Sequence, residues 1–386
     1  MNKICERNQC TGCGLCKNVC PKGAIRMVES EDTGHFIPHI DQNLCIDCHL
    51  CEKKCPSLKE PEHKKQIKTY AAWRKDISKI KGSSSGGVAA GLYEKAIKEG
   101  YYIVGTYLDD KFQAKMKVTN KKEDIELFKG SKYIQAEAGN VYKELLELLK
   151  KGEKILFIGT PCQCAAMSSM AQGQYSDNVL TVELICHGTP SQKSFHDYIY
   201  SIAEKKKKKI TKVSFRSEWG VELSLYSGEK AFWKYKGYED DYMVAFQTGM
   251  LHNEACYECK YANKDRVSDI TIGDFWKIGE KTKFEKPKCK VSVIVANTER
   301  GLSFVQECDE LVLQEREYQE AIDGNPNLHR PSKMHPQREL FWKIYKEESV
   351  PNAYLKTIGK RLKKIRFKNC IKNMIKDLIK KIIGRR

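Results

Sequence analysis

The sequence has no run of about 18 apolar residues that could span a bilayer as a helix. Its N-terminus, MNKICERNQC, also has no apolar segment of the kind found in signal peptides. We therefore expect a cytoplasmic protein. The chain nevertheless contains seventeen cysteines. In a reducing compartment this number favours metal ligation over disulfide bonds.

Acidic residues are nearly absent from the end of the chain. Residues 356–386 contain thirteen Lys and Arg but one acid, Asp377, so this segment carries +12 of the net charge of +18. The high net charge therefore does not indicate a nucleic-acid-binding protein, and Phe367 is the one aromatic residue in the segment that could stack on bases. Apolar residues recur at helical spacing within 371–383. We predict a basic amphipathic helix that packs on its own domain or a partner, or lies on an anionic membrane surface.

Two cysteine runs of identical spacing open the chain: Cys10-x-x-Cys13-x-x-Cys16-x-x-x-Cys20-Pro21 and Cys45-x-x-Cys48-x-x-Cys51-x-x-x-Cys55-Pro56. Bacterial ferredoxins with two [4Fe–4S] clusters have this spacing, and in them the fourth cysteine of each run serves the other cluster. The predicted ligands of the first cluster are Cys10, Cys13, Cys16 and Cys55. The predicted ligands of the second cluster are Cys45, Cys48, Cys51 and Cys20. Two four-cysteine zinc sites are the alternative, but two full copies of the ferredoxin spacing argue against them.

The chain is too long for a ferredoxin alone, and the remainder has an α/β pattern. The runs KILFIG (154–159) and VLTVELIC (179–186) are typical of strands buried on both faces of a parallel sheet. Residues 136–151 have the periodicity of an amphipathic helix, and 211–236 alternate like an antiparallel meander. The predicted fold is an α+β ferredoxin domain followed by a larger α/β domain. The predicted ranges are a ferredoxin-type domain at 1–60, a polar linker at 59–68, an α/β domain at 69–345 with parts 69–150 and 151–345, and a tail at 346–386.

A glycine- and serine-rich segment, Gly82-Ser83-Ser84-Ser85-Gly86-Gly87, comes directly before a predicted helix at 88–99. It matches neither the GxGxxG pattern nor the Walker A motif. Small residues before a helix N-terminus favour binding of a cofactor phosphate. The alternative is a serine N-cap in a glycine-rich turn.

Four further cysteines could form a third metal site. Cys162 follows the first apolar run and Cys186 ends the second. Because ligands bind beyond the carboxyl ends of parallel strands, both could face one crevice. The pair Cys256-x-x-Cys259 could fold over it. A third iron–sulfur cluster, a four-cysteine zinc site and unrelated buried thiols are all compatible with this pattern.

The set of motifs resembles the coenzyme F-420 hydrogenase/dehydrogenase beta-subunit family, in its bacterial branch with an N-terminal two-cluster ferredoxin domain. The motifs that carry the resemblance are SSSGG (83–87), KGSKY (129–133), GTPCQ (159–163), CHG (186–188), CYECK (256–260) and DITIGDFW (269–276). The resemblance implies an FAD-binding α/β domain with a third [4Fe–4S] cluster on Cys162, Cys186, Cys256 and Cys259. Cys164 could replace Cys162 as a ligand. The implied FAD contacts are Gly82, Ser83, Ser84, Ser85, Gly86, Gly87, Lys132 and Asp274.

The sequence thus predicts an iron–sulfur flavoprotein oxidoreductase. A ferredoxin or another low-potential donor would supply single electrons, and FAD would exchange them with an organic substrate. The resemblance suggests a role in bacterial polysaccharide biosynthesis, which would place the protein at the inner face of the cell membrane. His187 and Asp274 are the candidates for acid–base catalysis, while a packed histidine and a turn aspartate are their structural alternatives. The alternative function is a non-catalytic electron-transfer subunit that serves a partner enzyme.

Overall fold

The computed structural model describes residues 3–217, 220–360, 362–369 and 371. The chain divides into two compact units: the first contains 1–193 and 252–332, and the second contains 194–251 and 333–386. The domain ranges given above follow sequence motifs and stay a prediction. No helix in the described part of the chain is long and apolar enough to cross a membrane. Apart from Ile371, the predicted amphipathic helix at 371–383 lies outside the described residues.

The strands, in chain order, are β1 (Ile25–Glu29), β2 (Phe36–Ile40), β3 (Lys68–Arg74), β4 (Tyr102–Leu108), β5 (Ala114–Thr119), β6 (Ile155–Gly159), β7 (Val179–Leu184), β8 (Lys212–Ser217), β9 (Gly220–Ser227), β10 (Lys230–Lys236), β11 (Ile270–Asp274), β12 (Ser292–Ala296) and β13 (Leu311–Arg316). The α-helices are α1 (Leu15–Val19), α2 (Leu50–Lys53), α3 (Val88–Lys98), α4 (Ile125–Phe128), α5 (Val141–Lys150), α6 (Pro161–Ala171), α7 (Gln192–Lys206), α8 (Asp241–Gln247), α9 (Glu299–Gln306), α10 (Tyr318–Gly324), α11 (Arg338–Glu347) and α12 (Val350–Tyr354).

An eight-stranded sheet organises the first unit, in the order β13-β3-β12-β11-β7-β6-β4-β5. The neighbours β4, β6, β7 and β11 pair in parallel, which confirms the parallel arrangement predicted for the two apolar runs. The outer pairs are antiparallel, so the sheet is mixed. As a result β3, β4, β6, β7 and β11 all end at the same edge. We call this the carboxyl edge, and it is where the loops with the predicted site residues begin.

The predicted helix at 136–151 begins later than its periodicity suggests. Its first residues instead run beside β5: Glu137 donates its backbone N–H to the Ala114 carbonyl at 2.9 Å and accepts from the Met116 N–H at 3.0 Å. Helix α5 then starts at Val141, and its apolar face is buried through Tyr142 and Leu145. Tertiary pairing therefore overrides the local helical pattern at its N-terminal end.

The polar segment predicted as a linker at 59–68 is fixed to the sheet domain. Lys64 and Arg266 exchange backbone hydrogen bonds of 2.7 and 2.8 Å. The Arg266 guanidinium bonds to the fully buried carboxylate of Glu183, which Thr271 also contacts at 3.1 Å. Removing one partner of such a buried pair typically costs about 3–5 kcal/mol. The segment is therefore a structural connection rather than a flexible tether.

The second unit contains the predicted meander, since β8, β9 and β10 form an antiparallel three-stranded sheet. Asp240 caps α8 by accepting from the Met243 N–H at 3.0 Å. Its carboxylate also accepts from the Tyr198 hydroxyl at 2.8 Å and the Trp233 indole at 2.9 Å. Burial raises the pKa of Asp240 to about 6, and these hydrogen bonds stabilise the charged form within an apolar surrounding.

Candidate functional site

The four predicted ligands of the first cluster lie together in the fold. Cys13 and Cys16 both interact electrostatically with Cys10 and Cys55. Burial raises the pKa of Cys13 to about 12 and that of Cys16 well above its ordinary value. Cys55 thus joins the loop of the opposite cysteine run, as the ferredoxin spacing predicts. The donor set is four thiols in a water-poor place, which fits a [4Fe–4S] cluster.

The second predicted set surrounds a separate pocket. Cys20, Cys45, Cys48 and Cys51 all line it, together with apolar side chains that include Ile25, Ile40 and Ile46. Cys20 also acts electrostatically on Cys51, whose pKa burial raises. The placement of Cys20 with the other run agrees with the predicted exchange of fourth ligands. Ligation itself stays a prediction.

A further thiol of this region, Cys5, lies outside the two cysteine motifs. Hydrogen bonds with the thiols of Cys10 and Cys55, together with burial, raise the pKa of Cys5. The hydrogen bond with Cys5 lowers the pKa of Cys55 to about 6. Ile4 packs in the same small core as Cys16, Cys20, Cys45 and Cys51. The available signal was a fifth cysteine just before the first run, which the repeat spacing does not use.

The third predicted set also converges. Thr160 caps α6 through a capping box with Gln163 and so fixes Cys162 in the first turn of that helix. Burial raises the pKa of Cys186, and Cys256, Cys162 and Cys259 act electrostatically in the same direction. Burial also raises the pKa of Cys256 to about 12 and that of Cys259 to about 11.

The segment with Cys256 and Cys259 is held over the carboxyl edge by neighbouring backbone contacts. Asn253 donates its N–H to the Thr189 carbonyl at 3.0 Å, and His252 pairs with Pro190 in an isolated bridge. Within the described ranges, no three His, Cys, Asp or Glu side chains meet at a single ion position.

Cys164 does not join this group. It is fully buried in the apolar cluster around α5, α6 and β6, and its Sγ donates to the Val182 carbonyl at 3.4 Å. It therefore points into the sheet core. Cys162, in contrast, interacts with Cys13 of the first ferredoxin run. The three cysteine groups are thus arranged in series, from the exposed Cys48, through the partly buried Cys13, to the carboxyl edge of the sheet.

The glycine-rich loop is fixed by packing at its C-terminal end. A Cβ on Gly86 would lie 2.5 Å from the Ala72 carbonyl oxygen and 3.0 Å from the Trp73 Cα. Gly87 has a φ of 76° and is itself the N-cap of α3, with no side-chain cap. The structure therefore does not show the serine N-cap alternative. The Gly86 N–H already donates to the Ser292 hydroxyl at 3.0 Å. The loop therefore has fewer backbone N–H groups for a phosphate than its sequence suggests.

The same loop contacts the KGSKY segment, whose Lys132 is one of the FAD contacts that the family resemblance implies. Ser131 donates its backbone N–H to the Ser84 hydroxyl at 2.6 Å. The amine of Lys132 donates to the carbonyls of Leu127 and Lys129, both at 3.0 Å. In the described chain no carboxylate pairs with this amine, and burial lowers its pKa to about 7. Ser83 adds a buried hydroxyl without a hydrogen-bond partner. These two side chains fit an anionic ligand such as the FAD pyrophosphate.

The two candidate catalytic residues have different environments. Asp274 ends β11 directly opposite Ser292 in the register, so it lies at the carboxyl edge near the glycine-rich loop. The Nδ1 atom of His187 lies 3.0 Å from the Asn327 side-chain oxygen, and its ring stands edge-on to His252 at 5.3 Å. This packing favours the structural interpretation of His187. Asp274, in contrast, lies at the carboxyl edge of the sheet, where it could face a ligand.

Comparison with known proteins places these features in a family context. Residues 152–321 match the family model for the carboxyl-terminal part of the coenzyme F420 hydrogenase/dehydrogenase beta subunit. Residues 9–58 match the 4Fe-4S dicluster domain. The chain is 25% identical over 284 residues to the F subunit of F(420)H(2) dehydrogenase from Methanosarcina mazei, covering 70% of this chain and 77% of that protein. A chain of the F420-reducing [NiFe] hydrogenase complex from Methanosarcina barkeri is 19% identical, with a TM-score of 0.48 and coverage of 78% of this chain and 93% of that one.

Proposed function

Because the chain belongs to the coenzyme F420 hydrogenase/dehydrogenase beta-subunit family, we propose that it is an iron–sulfur flavoprotein oxidoreductase acting between a low-potential electron donor and an organic substrate. Its N-terminal part is a 4Fe-4S dicluster domain. The observation that supports the rest of the proposal is the convergence of Cys162, Cys186, Cys256 and Cys259 beside Cys13. This grouping supports a third cluster site next to the dicluster domain.

The residues that would hold each group follow from the three thiol sets and the glycine-rich loop. The ferredoxin-type sets are Cys10, Cys13, Cys16 and Cys55, and Cys45, Cys48, Cys51 and Cys20. When bound, clusters carry single electrons and FAD exchanges one or two, so the combination links one-electron to two-electron chemistry. Lys132 and Ser83 would bind negative charge on FAD, and Asp274 would face the flavin or the substrate. The assignment of the substrate to polysaccharide biosynthesis rests on the sequence resemblance alone.

Hydrogen bonds hold the first cysteine run against the sheet domain. The first run is held against the sheet domain by Asn253, which donates to the Cys10 carbonyl at 3.1 Å, and by Asn18, which donates to the Gly139 carbonyl at 3.0 Å. Gln135 donates to the Thr11 carbonyl at 3.3 Å and accepts from the Phe36 N–H at 2.8 Å. Burial and these directed hydrogen bonds are among the factors that set cluster potentials. The fold therefore holds the first cysteine run in place at several points and partly shields its thiols.

Anaerobic purification followed by counts of iron, sulfide and flavin tests the proposal directly. Three four-iron sites predict about twelve irons per chain, and the flavin domain predicts one FAD. Clusters without flavin would contradict the proposed enzyme. That outcome would favour a non-catalytic electron-transfer subunit, a candidate supported by the relative in Methanosarcina mazei, which is itself named as a subunit.

Lys132→Gln should weaken FAD binding by about ten- to hundredfold below pH 7, because a hydrogen bond to a charged group is lost. The unaltered chain should also show a pH dependence. Since the pKa of Lys132 is lowered to about 7, its amine is charged below that pH and loses its charge above it. FAD affinity should therefore be highest below pH 7 and fall as the pH rises, by up to about tenfold per pH unit. Fluorescence titration of the flavin-depleted chain measures both effects.

Lys121→Gln is the matched control, because Lys121 is an exposed lysine close in sequence. It should leave both the affinity and the pH profile unchanged. If Lys132→Gln binds FAD with the same affinity and the same pH profile as the unaltered chain, Lys132 does not contact the cofactor. If both lysine variants lose FAD affinity equally, the loss reflects the lower positive charge of the chain and not a contact made by Lys132.

A further inference from the structure

We propose that the loop carrying Cys45 and Cys48, with Leu44 and Ile46, is the docking surface for a small electron-carrier protein. This inference rests on the proposed electron-transfer function and adds the place where the donor binds. The carrier's reduced cluster would give up one electron and be oxidised, and the thiols of Cys45, Cys48, Cys51 and Cys20 would hold the cluster that accepts this electron.

The internal repeat shows which cysteine run faces outward. In the first run, Gly12 and Gly14 have φ angles of 68° and 80°. The equivalent residues of the second run, Asp47 and His49, have φ angles of 49° and 55°. The two loops therefore share one backbone shape, but only the first uses glycine at both positions.

Packing explains that difference. A Cβ on Gly12 would lie 2.3 Å from the Gln135 amide nitrogen and 2.6 Å from the Phe36 carbonyl oxygen. The first loop is therefore pressed against its own fold and has no room for a side chain. Asp47 and His49 are exposed, so the second loop accepts side chains at the same positions despite the strained backbone. The second run is the solvent-facing copy, and its Cys48 is exposed.

The solvent-facing loop carries large apolar residues where the packed loop carries polar ones. Contact with water alone would favour the reverse. The outward loop has Leu44 and Ile46, which are 50% and 57% exposed. The equivalent positions of the inward loop are Gln9 and Thr11. Isolated apolar residues on a surface need no explanation. Two large ones on either side of Cys45, on a loop that also contributes Cys48 to the pocket, indicate a surface that a partner covers transiently.

The net charge of residues 1–60 bears on how a carrier protein would bind to this loop. Residues 1–60 contain eight Lys and Arg and eight Asp and Glu, whereas the whole chain carries +18. A docking face on this neutral part gains little from electrostatic steering. The expected occupant is therefore a carrier protein whose own cluster lies beneath an apolar surface. Reduction by such a carrier should depend only weakly on salt.

Leu44→Glu should lower the second-order rate constant for reduction by a pre-reduced two-cluster ferredoxin about tenfold, since a charge replaces apolar contact area on a residue that does not line the cluster pocket. Stopped-flow absorbance of the clusters measures this rate without any substrate. Ile77→Glu is the matched control, because Ile77 is an aliphatic residue 46% exposed elsewhere in the same unit. Methyl viologen, which needs no docking surface, should reduce both variants and the unaltered chain equally.

The milder variant Leu44→Gln carries the residue that the inward loop has at the equivalent position, Gln9, so it introduces no charge on this backbone. It should also slow reduction by ferredoxin and leave reduction by methyl viologen unchanged, even if Leu44→Glu loses iron. Unchanged ferredoxin rates in Leu44→Gln would overturn the docking surface. A homodimer of the unaltered chain that Leu44→Glu dissociates would overturn it too, because a second copy would then cover the patch. If neither reductant reduces the unaltered chain, the electron-transfer function itself fails.

Discussion

A Cys186→Ala variant should contain about eight irons per chain, against about twelve in the unaltered protein, because one four-iron site loses a ligand. Cys186 follows β7 and is grouped with three thiols from α6 and the 256–259 segment. Removing it takes away the thiol that follows β7, and the three thiols that remain are too few to retain the four-iron site. Iron and sulfide analysis after anaerobic purification measures the loss.

Cys164→Ala is the control for this experiment. Cys164 lies two residues from Cys162 but is buried in the core and donates to the Val182 carbonyl. Its removal should leave the iron content at about twelve. If Cys164→Ala lowered the iron and Cys186→Ala did not, the proposed ligand set would be wrong. Zinc in the unaltered chain, at one ion and with only about eight irons, would instead identify a structural four-cysteine site.

A Cys20→Ala variant should damage the cluster of the second cysteine run and leave the cluster of its own run intact. The reason is that Cys20 lines the pocket of Cys45, Cys48 and Cys51. Cys55→Ala should do the reverse, since Cys55 interacts with Cys13 and Cys16. Each variant should lose up to about four irons. Electron paramagnetic resonance of the reduced proteins distinguishes the two clusters.

The pair of variants is its own control, since both remove the fourth cysteine of a run that ends in proline. Cys308→Ala adds a variant outside all three thiol groups, because Cys308 packs in the apolar core and donates to the Gly91 carbonyl at 3.7 Å. It should leave both signals intact. Damage confined to the variant's own run would show that each run holds one cluster by itself, contrary to the ferredoxin pattern.

Much of this site could be predicted because its chemistry depends on spacing. The two cysteine runs determine their loops locally, and the apolar runs before Cys162 and Cys186 identified strands that end at one edge. The family match supports the two-cluster domain and the family resemblance. These features are encoded within a few residues of each cysteine, so a single sequence suffices to find them.

Other features depend on contacts between distant residues. The position of Cys5 beside Cys55 results from the fold of the whole ferredoxin part. The lowered pKa of the Lys132 amine results from burial. The polar sequence around Lys132 gives no sign that this amine is buried. Nothing in residues 136–140 predicts that their helical pattern yields to pairing with β5. The grouping of 194–251 with the C-terminal part of the chain likewise has no local signature.

The bridge between Lys64 and Arg266 determines how the ferredoxin part can take part in turnover. Redox domains on flexible tethers swing between a donor and an acceptor, and their rates depend on tether length through effective concentration. Here the connecting segment is paired to the sheet domain and anchored near the buried Glu183. The ferredoxin part is consequently fixed to the sheet domain, so we expect its electron-transfer rates to be independent of any tether-like effective concentration.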